Sequence, residues 1–269
     1  MLIILVAMIT AIDVHAHYGR FIREEGSDLI NGFSSGDAAT VVARAHAAHT
    51  DITIVSPLLG LMPRGKADAA AGNKEAVEVV SHEPHLRQYV IVNPLQTATF
   101  EQARTMLAAP HCVGIKIHPE EHCYRIVDHG RMLFEFFEEM GVPVLTHSGC
   151  PNSLPKDFVS FANDFPTVKL ILAHLGNGAG DCHRPDLQVS AIQQIKHENV
   201  YVDTSSVRSI YPGLIEWGER EIGAERILYG TDTPLYFAAM QRARVDHAEI
   251  AEASKRLILR DNAKRLFQL

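Results

Sequence analysis

The chain has 269 residues, 46% hydrophobic and 21% charged, the balance of a folded globular domain and neither a disordered chain nor a coiled coil. Its formal charge of -7 argues against a nucleic-acid or anionic-membrane surface, since both require a basic face. Four cysteines (Cys112, Cys123, Cys150 and Cys182) have the spacing of neither a disulfide framework nor a zinc ribbon and read as free thiols of a cytoplasmic protein, whereas 15 histidines stand out.

The first twelve residues are nearly all apolar. They carry no basic flank and are too short to span a bilayer, so they read as a buried first strand whose natural start is Met1 or Met8. Short apolar, β-branched runs then recur at 8–14, 51–56, 88–93, 113–118, 143–147, 169–174, 200–204 and 226–232. They are apolar almost throughout, as parallel strands covered on both faces must be.

Between these runs lie stretches of helical period. Leu133, Phe134, Phe137 and Met140 mark one face of a helix that Gly141 should stop. Residues 98–109, 186–197 and 210–222 read the same way, and 256–269 should form a last helix on the outside. Eight βα units predict a (β/α)8 TIM barrel, with residues 1–269 as one domain. The long connection 18–37 follows the first strand and should cap the site. No glycine-rich phosphate fingerprint follows that strand, which weighs against an open doubly wound sheet.

Barrel enzymes place their chemistry at the C-terminal strand ends. Here those ends carry Asp13, His15 and His17, then Lys116 and His118, then His147, His174 and Asp232. Residues i and i+2 of a strand share a face, so His15 and His17 should both face the lumen, with Val14 and Ala16 toward the helices. The same parity turns Lys116 and His118 inward. A lone histidine at a strand end is more often a hydrogen-bonded loop residue than a ligand. An HxH pair joined by histidines on two later strands and an aspartate on the last is hard to obtain by chance, and reads as a metal site. Asp13 is either an orienting partner of a ligand imidazole or a buried structural aspartate. Arg20, Arg23 and Arg64 are candidate contacts to a substrate carboxylate. His122, Cys123, Cys150, Cys182 and His183 fall in loops at the same mouth without ligand spacing.

The phrases IDVHAHYG, GIKIHP, PVLTHSG, LILAHLG, ILYGTDTP and ILRDNAKRLF, running from Asp13 to Phe267, resemble the amidohydrolase superfamily of metal-dependent barrels. The nearest likeness is to its branch containing aminocarboxymuconate-semialdehyde decarboxylase. The resemblance implies that His15, His17, His147 and Asp232 bind a divalent metal, preferably a single zinc. It implies that Asp232 and His174 are catalytic, His174 acting on the metal-bound water. In binuclear relatives that histidine binds a second metal, bridged by a carbamylated lysine on strand four. Lys116, His118 and His174 are therefore candidates either for a second metal or for the substrate. Bound zinc lowers the pKa of its water from about 15.7 toward about 7, which makes hydroxide available at neutral pH.

The leading expectation is a metal-dependent hydrolase of a small carboxylated amide, lactone or related metabolite. The alternative is a zinc-dependent non-oxidative decarboxylase of an unsaturated or aromatic acid. A TatD-type deoxyribonuclease and a non-catalytic metal-binding barrel rank behind both. The expected partner is a small-molecule substrate, with no nucleic acid and no membrane, and a homodimer is a reasonable prior for a barrel enzyme.

Overall fold

The computed structural model describes residues 8–178, 184–206 and 210–269. Among them, eight parallel strands follow one another in sequence order: β1 Ala11–Tyr18, β2 Thr50–Pro57, β3 Leu86–Ile91, β4 Cys112–Ile117, β5 Val144–Thr146, β6 Leu170–Leu172, β7 Val200–Asp203 and β8 Ile227–Leu228. Interleaved are α1 Asp28–Phe33, α2 Ala38–Ala47, α3 Ala69–Ser81, α4 Ala98–Met106, α5 Ile126–Met140, α6 Val159–Asp164, α7 Leu187–Ile192, α8 Leu214–Ile222, α9 Ala238–Asp246, α10 Glu252–Arg256 and α11 Asn262–Phe267. This is the expected (β/α)8 barrel. The seam between the first and last strands is closed by backbone bonds beyond the regular ladder. Val14 N–H reaches Tyr229 O at 2.9 Å, Asp232 N–H reaches His15 O at 2.7 Å, and Ala16 bridges Thr233 in parallel. Among the described residues no helix is long and apolar enough to cross a membrane.

Two apolar layers hold the barrel. One cluster draws Ile12, Val14, Ile54, Tyr89, Leu145, Ile171, Tyr201 and Leu228 from seven strands, which makes it the interior, and Ala263 and Phe267 of α11 join it. The outer layer packs Ile115, Ile117, Val144, Leu170 and Val202 against Leu133, Phe134 and Phe137 of α5. At the end of α5, Gly141 adopts φ 65° and its N–H bonds Phe137 O at 3.0 Å, the left-handed stop that glycine takes at least cost.

The alternation predicted for the strands holds on β4, where Ile115 and Ile117 face outward around Lys116. It breaks on β1, because Val14 joins the interior cluster while Ala16 packs outward with Val41 and Val55. Pairing with β2 runs Asp13 to Thr53 and Ala16 to Val55, so β1 carries an extra residue there. Such a bulge resets side-chain parity and lets both Val14 and the histidine pair serve the interior. β5, β6 and β8 are shorter than expected. The residues after β6 and β8 include His174 at φ 72° and Asp232 at φ 60°, a left-handed backbone that no strand continues through.

Candidate metal centre and active site

His15 and His17 leave β1 with their rings oriented from behind. His15 Nδ1 lies 2.8 Å from Asp203 Oδ2, and His17 Nδ1 lies 3.1 Å from the carbonyl oxygen of Ser56. Carboxylates and carbonyls only accept, so both Nδ1 atoms carry the proton and both Nε2 atoms point forward. Those nitrogens meet Asp232 Oδ1 at 3.6 Å from His15 and 3.1 Å from His17. Burial, then Lys116, pushes the His15 imidazole down to about 4, against the pull of Asp203 and Asp232, so it is neutral at pH 7. Burial alone would raise the Asp232 carboxyl, but His15, His17 and His174 outweigh it and hold the group below the usual carboxylate range. One ligand atom from each of His15, His17 and Asp232 lies within 4.8 Å of the others, all three residues buried. Two imidazole nitrogens and a carboxylate oxygen converging in this way are a donor set that fits a divalent cation.

Lys116 is fully buried, with Nζ 3.1 Å from His15 Nε2. Burial lowers its amine to about 8, against the attraction of Asp232 and Asp203. His118 stacks on His147 with ring centroids 4.4 Å apart, and its Nδ1 accepts Glu121 N–H at 3.3 Å. Burial first, then neighbouring His147 and Lys116, keeps His118 far below the ordinary histidine value. His147 borders the cavity but stands outside the trio, with Nδ1 3.1 Å from His174 Nε2 and Nε2 3.1 Å from Cys150 Sγ. His174 meets Ser205 Oγ through Nδ1 at 2.8 Å. A second potential metal group, His15, His174 and Asp203, is already tied internally by hydrogen bonds to the Asp203 carboxylate.

His15, His17, His118, His147, His174 and Asp232 line a cavity of about 430 Å³. Leu58, Leu61, Met62 and Leu235 supply apolar wall, while Arg23 and Arg64 stand at its rim. Both arginines pair with the buried Glu121, Arg64 at 3.1 Å. Arg20 is exposed and does not line the cavity. Asp13 ties β1 to the β8 end, accepting Thr231 N–H at 3.1 Å and His15 N–H at 3.0 Å, and burial raises its carboxyl to about 7. His122 is buried against Gly60 O at 2.9 Å, and Cys123 is exposed. Cys182 and His183 lie outside the described residues.

His174 and Asp232 occupy left-handed backbone at a cost of about 1–3 kcal/mol each, offset by their anchors. His174 N–H donates to Asp203 Oδ1 at 3.0 Å, and Asp232 N–H to His15 O at 2.7 Å. Sequence reasoning missed Asp203, Ser205, Glu120 and Glu121. The strand-end rule would have found Asp203, which closes β7 as the other candidates close theirs. Glu120 holds the loop after β5, accepting from Asn152 N at 2.6 Å and Nδ2 at 3.2 Å.

Residues 12–269 match the model of a family described as amidohydrolase. No curated protein matches the sequence. Among solved structures, the 2,6-dihydroxybenzoate decarboxylase from Rhizobium aligns with TM-score 0.73 and 18% identity over 97% of this chain and 99% of its own. A dihydroxybenzoic acid decarboxylase from Polaromonas sp. JS666, with bound manganese and the inhibitor 2-nitroresorcinol, gives TM-score 0.72 and 17% identity over 97% and 98%. The 5-carboxyvanillate decarboxylase from Sphingomonas paucimobilis gives 0.73 and 14% over 97% and 100%. At these identities what is shared is the fold.

Proposed function

The chain belongs to the amidohydrolase family of metal-dependent barrel enzymes, and on that premise we propose that it is a non-oxidative decarboxylase of a hydroxylated aromatic acid. The observation that carries this reading is the likeness, over nearly the whole of both chains, to decarboxylases of such acids. That likeness favours the decarboxylase alternative over the hydrolase expected first. The cavity agrees in kind: its volume of about 430 Å³ suits a small ring, with apolar wall for the ring face and arginines for anionic substituents.

His15, His17 and Asp232 would hold the metal, with His147, which borders the same cavity, as the candidate fourth ligand. A bound divalent cation, manganese as in the Polaromonas neighbour or zinc, would offset the charge of the substrate's carboxylate and hydroxyl oxygens. The reaction adds one proton to the ring carbon that bears the carboxylate, breaks the carbon–carboxylate bond and releases CO2. Asp232, ionised at rest, can take a proton from the bound acid's hydroxyl and deliver it to that carbon. Arg23 and Arg64, kept in place by Glu121, would orient the substrate's remaining anionic group. Protein stripped with chelator, reloaded with Mn²⁺ or Zn²⁺ and given 2,6-dihydroxybenzoate, 5-carboxyvanillate and related acids should release CO2. Asp232→Asn should lower that rate by about a thousandfold while the chain stays folded. No CO2 from any acid with either metal would sink the reading.

A further inference from the structure

Ser205 follows β7 and is fully buried, and its single hydroxyl contacts three groups. Its Oγ bonds Asp203 Oδ1, lies 2.8 Å from His174 Nδ1, and lies 3.0 Å from His15 Nδ1. A hydroxyl has one proton to give and lone pairs with which to accept. Asp203 is the group in this set that can only accept. Its Oδ1 already accepts the backbone N–H groups of Ser205 at 2.9 Å and His174 at 3.0 Å. The Ser205 proton therefore goes to Asp203, and what remains for His174 is a lone pair.

We propose that Ser205 is a positioning residue that fixes the tautomer of His174. Its oxygen accepts from His174 Nδ1–H and leaves Nε2 bare at the mouth of the barrel. His147 Nδ1, 3.1 Å from that nitrogen, then carries the donor proton, and His147 Nε2 is left as the acceptor facing Cys150. A run of hydrogen bonds thus starts at a carboxylate behind the site and sets the direction of two imidazoles in front of it. The consequence deepens the decarboxylase reading and rests on it: His174 accepts rather than donates through Nε2, so it does not supply the proton delivered to the ring.

The tautomer is readable without substrate. In Zn²⁺-loaded protein labelled with ¹⁵N-histidine, long-range ¹H–¹⁵N spectra distinguish Nδ1–H from Nε2–H, and His174→Gln identifies the signal. His174 should appear as the Nδ1–H form in the wild type and in Ser205→Thr, and that form should lose its dominance in Ser205→Ala. On an acid that is turned over, Ser205→Ala should lower kcat about tenfold with KM within about twofold, and Ser205→Thr should restore it. An Nε2–H His174 in the wild type overturns the proposal, as does a Ser205→Ala spectrum identical to it or a Ser205→Thr spectrum that loses the form. Should Ser205→Ala not fold, the wild-type and threonine spectra decide. Should no acid be turned over, the decarboxylase reading fails while the spectra still settle the role of Ser205.

Discussion

Asp203→Asn tests whether the carboxylate behind the barrel sets the proposed metal centre. Asp203 is fully buried and accepts through both oxygens. Oδ1 takes Ser205 N–H at 2.9 Å, His174 N–H at 3.0 Å and the Ser205 hydroxyl, and Oδ2 takes His15 Nδ1–H at 2.8 Å. An asparagine can keep its oxygen toward the first three donors, but it then presents an NH2 group to His15 Nδ1. Two donors cannot face each other, so His15 must expose a bare Nδ1 and move its proton to Nε2. That removes one of the three lone pairs that would hold the proposed cation. Lost orienting contacts of this kind weaken metal binding about 10–100-fold, equivalent to about 1.4–2.7 kcal/mol. Competition with a chromophoric chelator for Mn²⁺ and Zn²⁺ at pH 7.5, with circular dichroism as the folding control, reads the affinity. Ser205→Ala leaves the Asp203–His15 bond in place and should stay within about threefold of wild type. A folded Asp203→Asn protein whose affinity lies within twofold of wild type would refute the reasoning.

Three other outcomes follow from the same geometry. Glu121→Gln releases Arg23 and Arg64 from a buried carboxylate, and KM for the decarboxylated acid should rise about tenfold with kcat little changed; an unmoved KM in steady-state CO2 assays counts against the arginine clamp. In metal-free protein, burial lowers His15, His118, His122, His147 and His174, so each favours folding above the unfolded histidine pKa near 6.5 and loses that contribution as pH falls below it. His15, held at about 4, gives up about 1 kcal/mol between pH 7 and 5.5 and Asp13, raised to about 7, returns a similar amount, so the other four histidines should set the sign and urea midpoints should fall with pH; a flat midpoint over that window would contradict the burial. At Gly72 of α3 a Cβ would lie 2.6 Å from Gly60 N, so Gly72→Ala should cost about 1–3 kcal/mol and lower Tm by a few degrees in calorimetry; an unchanged Tm would mean that the backbones yield.

The barrel was legible because parallel strands buried on both faces leave continuous apolar runs. Ile115, Ile117, Val144, Leu170, Leu172, Val200 and Val202 all lie within the predicted runs and all pack in the outer layer. The strand boundaries were less legible. On β1 the apolar start drew the expected strand back to residue 8, whereas the ladder runs Ala11–Tyr18 and carries the histidine pair inside it. Nothing in Asp13-Val14-His15-Ala16 announces a bulge, because the extra residue is defined by the partner strand's register, which lies 40 residues away.

The site divides along the same physical line. Residue type and strand-end position pick out His15, His17 and Asp232, because a cation needs nitrogen and oxygen ligands and barrel topology supplies the place where they meet. The orienting residues carry no such signature. Asp203, Ser205 and Glu121 are ordinary polar residues, distinguished by what stands opposite them after folding: His15 and His174 for the first two, Arg23 and Arg64 for the third. His147 shows the limit from the other side, since its motif equals that of the proposed ligands while its two nitrogens are taken up by His174 and Cys150. Its ring can serve the metal only if the cation competes successfully with the Cys150 contact at Nε2. The proton count that begins at Asp203 leaves that nitrogen unprotonated, so the competition is for a lone pair and no bound proton has to be expelled.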